Sequence, residues 1–138
     1  MLVVGRGYGY STAREAALKL METCYIVAQG LSAADALHGP VAALDGETPL
    51  LVFGSAGPGV SSLRDVMAAA RAAGAPVEVV GDGFLRGDTL PPLLPETPEG
   101  LVPLLEILPA QLLALELATL SGGDPDRPRG LKKVTSTV

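Results

Sequence analysis

Residues 1–40 read MLVVGRGYGYSTAREAALKLMETCYIVAQGLSAADALHGP, and the order of features in this stretch decides the fold class. Met1–Val4 is a short apolar run stopped by glycine, the pattern of a strand buried on both faces. Gly5-Arg6-Gly7-Tyr8-Gly9-Tyr10 follows as a tight turn. Ser11 or Thr12 stands where a helix N-cap belongs, and a helix is predicted from about Ala13 to about Ala28, closed by Gly30. Ser32 with Asp35 predicts a short second helix capped on entry. His38-Gly39-Pro40 stops it, because proline disfavours helical geometry in the residue before it.

Outward from there the alternation continues. Pro49–Gly54 (PLLVFG) reads as a second buried strand, Gly54–Ser62 as a Gly/Ser loop, and Ser61–Ala73 as an alanine-rich helix. Pro76–Val80 (PVEVV) is a third strand. Residues 81–100 read as a long loop with a short strand near Leu93. Pro103–Ser121 is leucine-rich and helical, with Pro109 predicting a kink or restart. Gly122–Val138 is a polar, proline-containing tail. Strands alternating with helices predict a three-layer α/β/α sandwich with a flavodoxin-like parallel sheet, whose ligands bind at the carboxyl ends of the strands. Residues 1–138 show no internal repeat and no linker, so a single domain is expected.

Composition narrows the function. Of 138 residues, 48% are hydrophobic and 18% charged, enough apolar content for one buried core. A net charge of −5 argues against a nucleic-acid partner, which calls for a basic face. Leu101–Leu120 is interrupted by Pro103, Glu106, Pro109 and Glu116, so no membrane span is expected. MLVVGRG lacks the features of a signal peptide. Cys24 is the single cysteine, which excludes an internal disulfide and favours the cytoplasm.

The loop Gly5-x-Gly7-x-Gly9 sits between a strand and a helix, but Tyr10 stands where a dinucleotide-binding fingerprint needs its third glycine. No acidic residue follows at the end of a second strand about 20 residues on. A turn that brings backbone close to a ligand is the better reading. Glu15, Lys19 and Glu22 recur at i, i+4 and i+7 along one stripe of the first helix. That spacing suits an ordinary solvated ion pair, and equally a carboxylate beside an ammonium poised to move protons. Cys24 lies on the opposite side of the helix and reads as a small buried hydrophobe. His38 is the sole histidine, and no second histidine or cysteine stands at ligand spacing, so no metal site is expected.

The stretch Gly5–Pro40 resembles the opening of the second SIS (sugar isomerase) domain of amino-sugar phosphate isomerases, a pattern like GRG-x-x-Y-x-x-A-x-E-x-ALKLKE followed by HGP. The tail GGDPDRPRGLKKVTSTV resembles the D-x-D-x-P-x-x-L-x-K-V-T ending of the same proteins. The tail and the ETC-x-I segment resemble stand-alone double-SIS proteins, glucosamine-6-phosphate deaminases among them, more than glutamine-dependent synthases. The resemblance implies that Glu22 shuttles a proton between sugar C1 and C2. It implies that His38 assists ring opening, often in a neighbouring subunit's site, that Lys19 stands beside the base, and that Lys133 reaches the sugar carbonyl. It further implies a sugar phosphate of the glucosamine 6-phosphate or fructose 6-phosphate class, no cofactor, and a site shared with another SIS domain or a second copy. On this reading the chain is the C-terminal half of a double-SIS protein, and the Ser/Thr-rich phosphate cradle belongs to the other half. Gly5, Arg6, Gly7 and Ser55 are the candidate substrate-binding residues, with the Gly54–Ser62 loop placed where an anion can sit. Gln29, Met21 and Leu37 depart from the family's common residues. A non-catalytic SIS module that binds a phosphosugar to regulate a partner is the alternative.

Overall fold

The computed structural model describes residues 1–54, 57–81, 88–89 and 97–131. The strands are β1 (Leu2–Gly5), β2 (Gln29–Ser32), β3 (Leu50–Gly54), β4 (Val77–Gly81) and β5 (Asp88–Thr89). The helices are α1 (Gly9–Cys24), α2 (Ala33–Leu37), α3 (Val60–Ala72) and α4 (Val102–Leu120). Every strand pair is parallel and the sheet order is β2-β1-β3-β4-β5, the flavodoxin-like arrangement.

Alternation along the strands separates two cores. Leu2, Val4, Leu50, Val52, Val77 and Val79 face α2 and α3. Val3, Leu51, Phe53 and Val80 face α1 and α4. Both faces of β1 and β3 are therefore covered, which is why their sequences are continuous apolar runs.

The structure corrects several expectations. Helix α1 begins at Gly9 with Tyr8 as N-cap, and neither Ser11 nor Thr12 caps it; Thr12 is buried inside the first turns. Its end comes at Cys24, not Ala28, because Tyr25 adopts the left-handed conformation (φ 59°). Gly30 does not close the helix but lies in β2, paired with Val3. A Cβ at Gly30 would stand 2.7 Å from the Arg14 Cα, so glycine here lets α1 lie directly on the edge strand. Ser32 does cap α2, its hydroxyl accepting from the Asp35 N–H at 3.2 Å. Helix α4 runs through Pro109 without a restart. The strand expected near Leu93 falls outside the described residues, and β5 was not anticipated.

Helix α4 is unusual in having no polar face. Its inward side carries Val102, Glu106, Ala110, Ala114 and Ala118, all buried. Small residues at every fourth position let it approach the alanine face of α1 (Ala13, Ala16, Ala17) closely. Together with the turn before it, Glu99–Leu120 is long and apolar enough to cross a membrane; here one side of it forms part of the α/β layer.

Candidate functional site

The chain leaves β1 toward β2 on one side and leaves β3 toward β4 on the other, so the loops after these two neighbouring strands diverge and open a crevice. A cavity of about 260 Å³ lies there, lined by Arg6, Gly7, Tyr8, Gly57, Gly59 and Glu99 among others. Two local features build it. Gly7 has φ +58°, which turns the chain out of the strand at no steric cost. A side chain at Gly5 would overlap the Gly9 carbonyl, so glycine there lets the first turn of α1 close over the strand end. The Arg6 side chain lies across Gly59, at the start of α3.

The helix ends that point at this cavity lend it a positive field, and neither α1 nor α3 has a side-chain cap. The N–H groups of Gly9, Tyr10 and Ser11 already donate to the carbonyls of Arg6, Gly7 and Tyr8, so α1 offers field more than free donors. Arg6 brings a cation and Glu99 brings a carboxylate to the same wall. Of the expected substrate-binding residues, Arg6 and Gly7 line this cavity and the buried Gly5 shapes it; Ser55 lies outside the described residues.

Glu15, Lys19 and Glu22 do share a stripe of α1. Lys19 Nζ donates to Glu22 Oε2 at 2.8 Å and stands 3.6 Å from Glu15 Oε1. The side chains are 43%, 33% and 30% exposed for Glu15, Lys19 and Glu22, so the pair is neither buried nor fully solvated. The hydrogen bond that Lys19 donates to Glu22 raises the Lys19 pKa above its ordinary 10.5; partial burial opposes this, and the charges of Glu22 and Glu15 add to it. Lys19 is therefore a fixed cation beside Glu22 at neutral pH. Cys24, half-buried across the helix, donates to the Ala114 carbonyl at 3.2 Å and packs as the small hydrophobe expected.

The topology separates these groups. Helix α1 starts above the carboxyl end of β1 and ends near the amino end of β2, so Glu22 lies at the opposite end of the strands from Gly7. The thirteen residue steps from Gly9 to Glu22 make roughly 20 Å along the axis. His38 is exposed at the C-cap of α2, on the other face of the sheet from α1. One copy of the chain therefore does not bring His38 to Glu22. The tail does return to the Glu22 end: the Arg129 N–H donates to the Tyr25 hydroxyl at 2.8 Å, and its guanidinium stacks 4.2 Å above that ring. Lys133, four residues further on, lies outside the described residues.

Glu106 is the group that sequence reasoning missed. Its carboxylate is fully buried at the first turns of α1, where Oε2 accepts from the Thr12 hydroxyl at 3.2 Å. It lies against the start of α1, close enough that a Cβ at Gly9 would stand 3.4 Å from Oε2. An acid in a leucine-rich helix reads as an interruption of the apolar run, and its pairing with Thr12 spans 94 residues. Among the described residues no cluster of His, Cys, Asp and Glu could hold a metal ion.

A model of the SIS domain matches residues 1–121. Glutamine–fructose-6-phosphate aminotransferase (isomerizing) of Pyrococcus horikoshii is 38% identical over 94% of this chain, which spans 22% of that protein. A protein of the same name from Sphingobium yanoikuyae is 37% identical, with 96% of this chain and 88% of that one aligned. Among solved structures, the C-terminal domain of glucosamine-fructose-6-phosphate aminotransferase from Francisella tularensis superposes with a TM-score of 0.81 at 27% identity, over 91% of this chain and 37% of that chain. Glucosamine-6-phosphate deaminase from Thermotoga maritima shares the fold with a TM-score of 0.72 at 24% identity, over 96% and 39%. The expected leaning toward stand-alone deaminases thus finds a counterpart in fold, while these sequence relatives carry the aminotransferase name. This chain spans about a fifth of the length of most of its curated relatives.

Proposed function

The chain belongs to the SIS domain family, and from that premise we propose that it is the proton-transferring half of an amino-sugar phosphate isomerase or deaminase. The substrate class is glucosamine 6-phosphate or fructose 6-phosphate, and the reaction moves a proton between C1 and C2. The observation that carries this reading is the Lys19–Glu22 pair, a carboxylate held 2.8 Å from a permanent cation on a part-exposed helix flank.

The chemistry asks for little else. In the open-chain sugar, Glu22 removes the proton next to the carbonyl and returns it to the neighbouring carbon, so the two carbons exchange oxidation level with no external electron carrier. The Lys19 ammonium, hydrogen-bonded to Glu22, places positive charge where the enediolate develops. His38, on the far face of the sheet, acts in the site of another copy, assisting ring opening there. Arg129 docked on Tyr25 supports the tail's return toward Glu22, and Lys133 then reaches the sugar carbonyl. Residues 1–121 form the domain and 122–138 the closing tail. A second SIS domain supplies the phosphate cradle.

The cavity of Gly5, Arg6 and Gly7 lies too far from Glu22 for one sugar phosphate to span both in one copy. It serves a second ligand molecule or another copy's site, with Ser55 in the adjoining loop. That separation is also what favours the alternative reading of a regulatory phosphosugar-binding module, because a cavity remote from Glu22 can bind without turnover. The setting consistent with the reaction is the cytoplasm.

In the protein assembled with a complementary SIS domain, Glu22→Gln is expected to lower kcat for sugar phosphate isomerisation or deamination on the order of a hundredfold or more, with an unchanged melting temperature. Near-normal turnover by Glu22→Gln, with Glu15→Gln inactive, would move the base to Glu15. Phosphosugar binding with no turnover in any assembly would favour the regulatory module.

A further inference from the structure

Tyr25 is, among the described residues, the one residue other than glycine with a left-handed backbone (φ 59°, ψ 23°). It caps α1 three residues after Glu22, a position that glycine fills at no steric cost. A tyrosine held there against that cost points to a use for its side chain. Hydroxyl and ring are both engaged by one residue of the tail. The hydroxyl accepts from the Arg129 N–H at 2.8 Å, and the Arg129 guanidinium lies 4.2 Å from the ring centroid.

The tail is shaped to bring Arg129 to this place. After α4, Gly122 (φ +74°) and Gly123 close the helix with N–H bonds to the Thr119 and Ala118 carbonyls at 3.0 and 2.8 Å. That reversal sets the tail beside the end of α1, where a Cβ at Gly123 would stand 3.9 Å from the Thr23 carbonyl oxygen. Gly130 (φ +79°) then takes the left-handed place in a turn that the Leu131 N–H closes on the Pro128 carbonyl at 3.3 Å. Arg129 sits inside this turn, so fixing Arg129 fixes the direction in which the chain leaves toward Lys133. Among the described residues, the other hydrogen bonds of 124–131 all stay within the tail, which makes the Tyr25 contact its one polar tie to the domain. Four residue steps from Arg129 span at most about 14 Å, so an anchor at the end of α1 keeps Lys133 within reach of the Lys19–Glu22 pair. We infer that Tyr25 is a positioning residue, which holds the Pro128–Leu131 turn against the end of α1 and so aims the tail lysine at the sugar beside Glu22. The inference rests on the proposed function and adds to it the residue that acts through Lys133.

Amide hydrogen exchange on the 138-residue chain reads the contact without any reaction. Tyr25→Phe removes only the acceptor, and is expected to speed exchange at the Arg129 amide on the order of tenfold while the amides of β1 and β3 keep their rates. In the protein assembled with a complementary SIS domain, Tyr25→Gly is expected to lower kcat on the order of tenfold with KM little changed. Its melting temperature should be kept, because glycine suits the left-handed cap. Arg129→Ala, which leaves α1 untouched, is expected to give the same loss. In a Lys133→Ala background neither substitution should cost anything further, since the lysine they position is gone. An Arg129 amide that exchanges equally fast in wild type and Tyr25→Phe would overturn the inference. So would full turnover by Tyr25→Gly, or losses of equal size with and without Lys133. Full turnover by Glu22→Gln would instead strike the proposed function, which tells the two failures apart.

Discussion

Lys19 stands between two carboxylates that sequence spacing treats alike, and the structure distinguishes them. Glu22 is the nearer at 2.8 Å and the less exposed; Glu15 is 3.6 Å away and 43% exposed. An ion pair as open as the second contributes little, because solvent screens it and the side chains lose freedom in making it. Glu15→Gln is therefore expected to change stability by less than about 0.5 kcal/mol in urea denaturation. The Lys19 titration gives a signed test. Its folded pKa is raised above 10.5, so its contribution is complete below 10.5 and is lost as pH climbs through the folded value. The stability difference between wild type and Lys19→Met should stay flat from neutral pH to about 10 and fall away above it. A difference that instead disappears on acidification to pH 6 would show that the Lys19 charge is not what the pair contributes.

At the scale of elements, the strands buried on both faces were legible and the edge strand was not. LVVG and LLVFG are apolar runs because helices cover both sides of β1 and β3, and that burial is written in the residues themselves. QGLS is half-exposed at the sheet edge, and it is a strand because β1 pairs with it and because Gly30 lets α1 sit against it. Gly30→Ala is expected to destabilise the chain by about 1–3 kcal/mol, since the added carbon meets helix backbone that cannot step aside. The end of α1 was misplaced because a residue other than glycine, Tyr25, takes the left-handed cap, with the backbone N–H groups of Tyr25 and Ile26 donating to the Leu20 carbonyl. The ion stripe of α1 was legible from the 3.6-residue period alone. The distance between Glu22 and His38 was not, because it depends on which face of the sheet each helix takes. Ala114 is buried between α1 and α4, its carbonyl accepting from Cys24, and Ala114→Leu should cost about 1–3 kcal/mol through overpacking. Thermal melts of the two variants check both values.

For the whole molecule, the two carriers of the proposed chemistry point away from each other, and this fits a chain that works only in company. Glu22 and Lys19 occupy one face of the sheet toward the C-terminal end of α1, His38 the other face, and the cavity of Arg6 the N-terminal end of α1. The phosphate of a sugar phosphate needs several charge-assisted hydrogen bonds to be held in place, and the stripe around Glu22 offers one ammonium. The isolated 138-residue chain is accordingly expected to bind glucosamine 6-phosphate weakly and turn it over negligibly, which a coupled ammonia-release assay would read; robust deamination would show that one copy holds a complete site. The most direct measurement is incorporation of solvent deuterium at C1 or C2 of fructose 6-phosphate, followed by NMR, with the chain assembled beside a complementary SIS domain. Wild type is expected to exchange the proton, and Glu22→Gln to bind the sugar phosphate with similar affinity yet exchange it on the order of a hundredfold more slowly. Exchange at the wild-type rate in Glu22→Gln would contradict the assignment of this chain as the proton-transferring half.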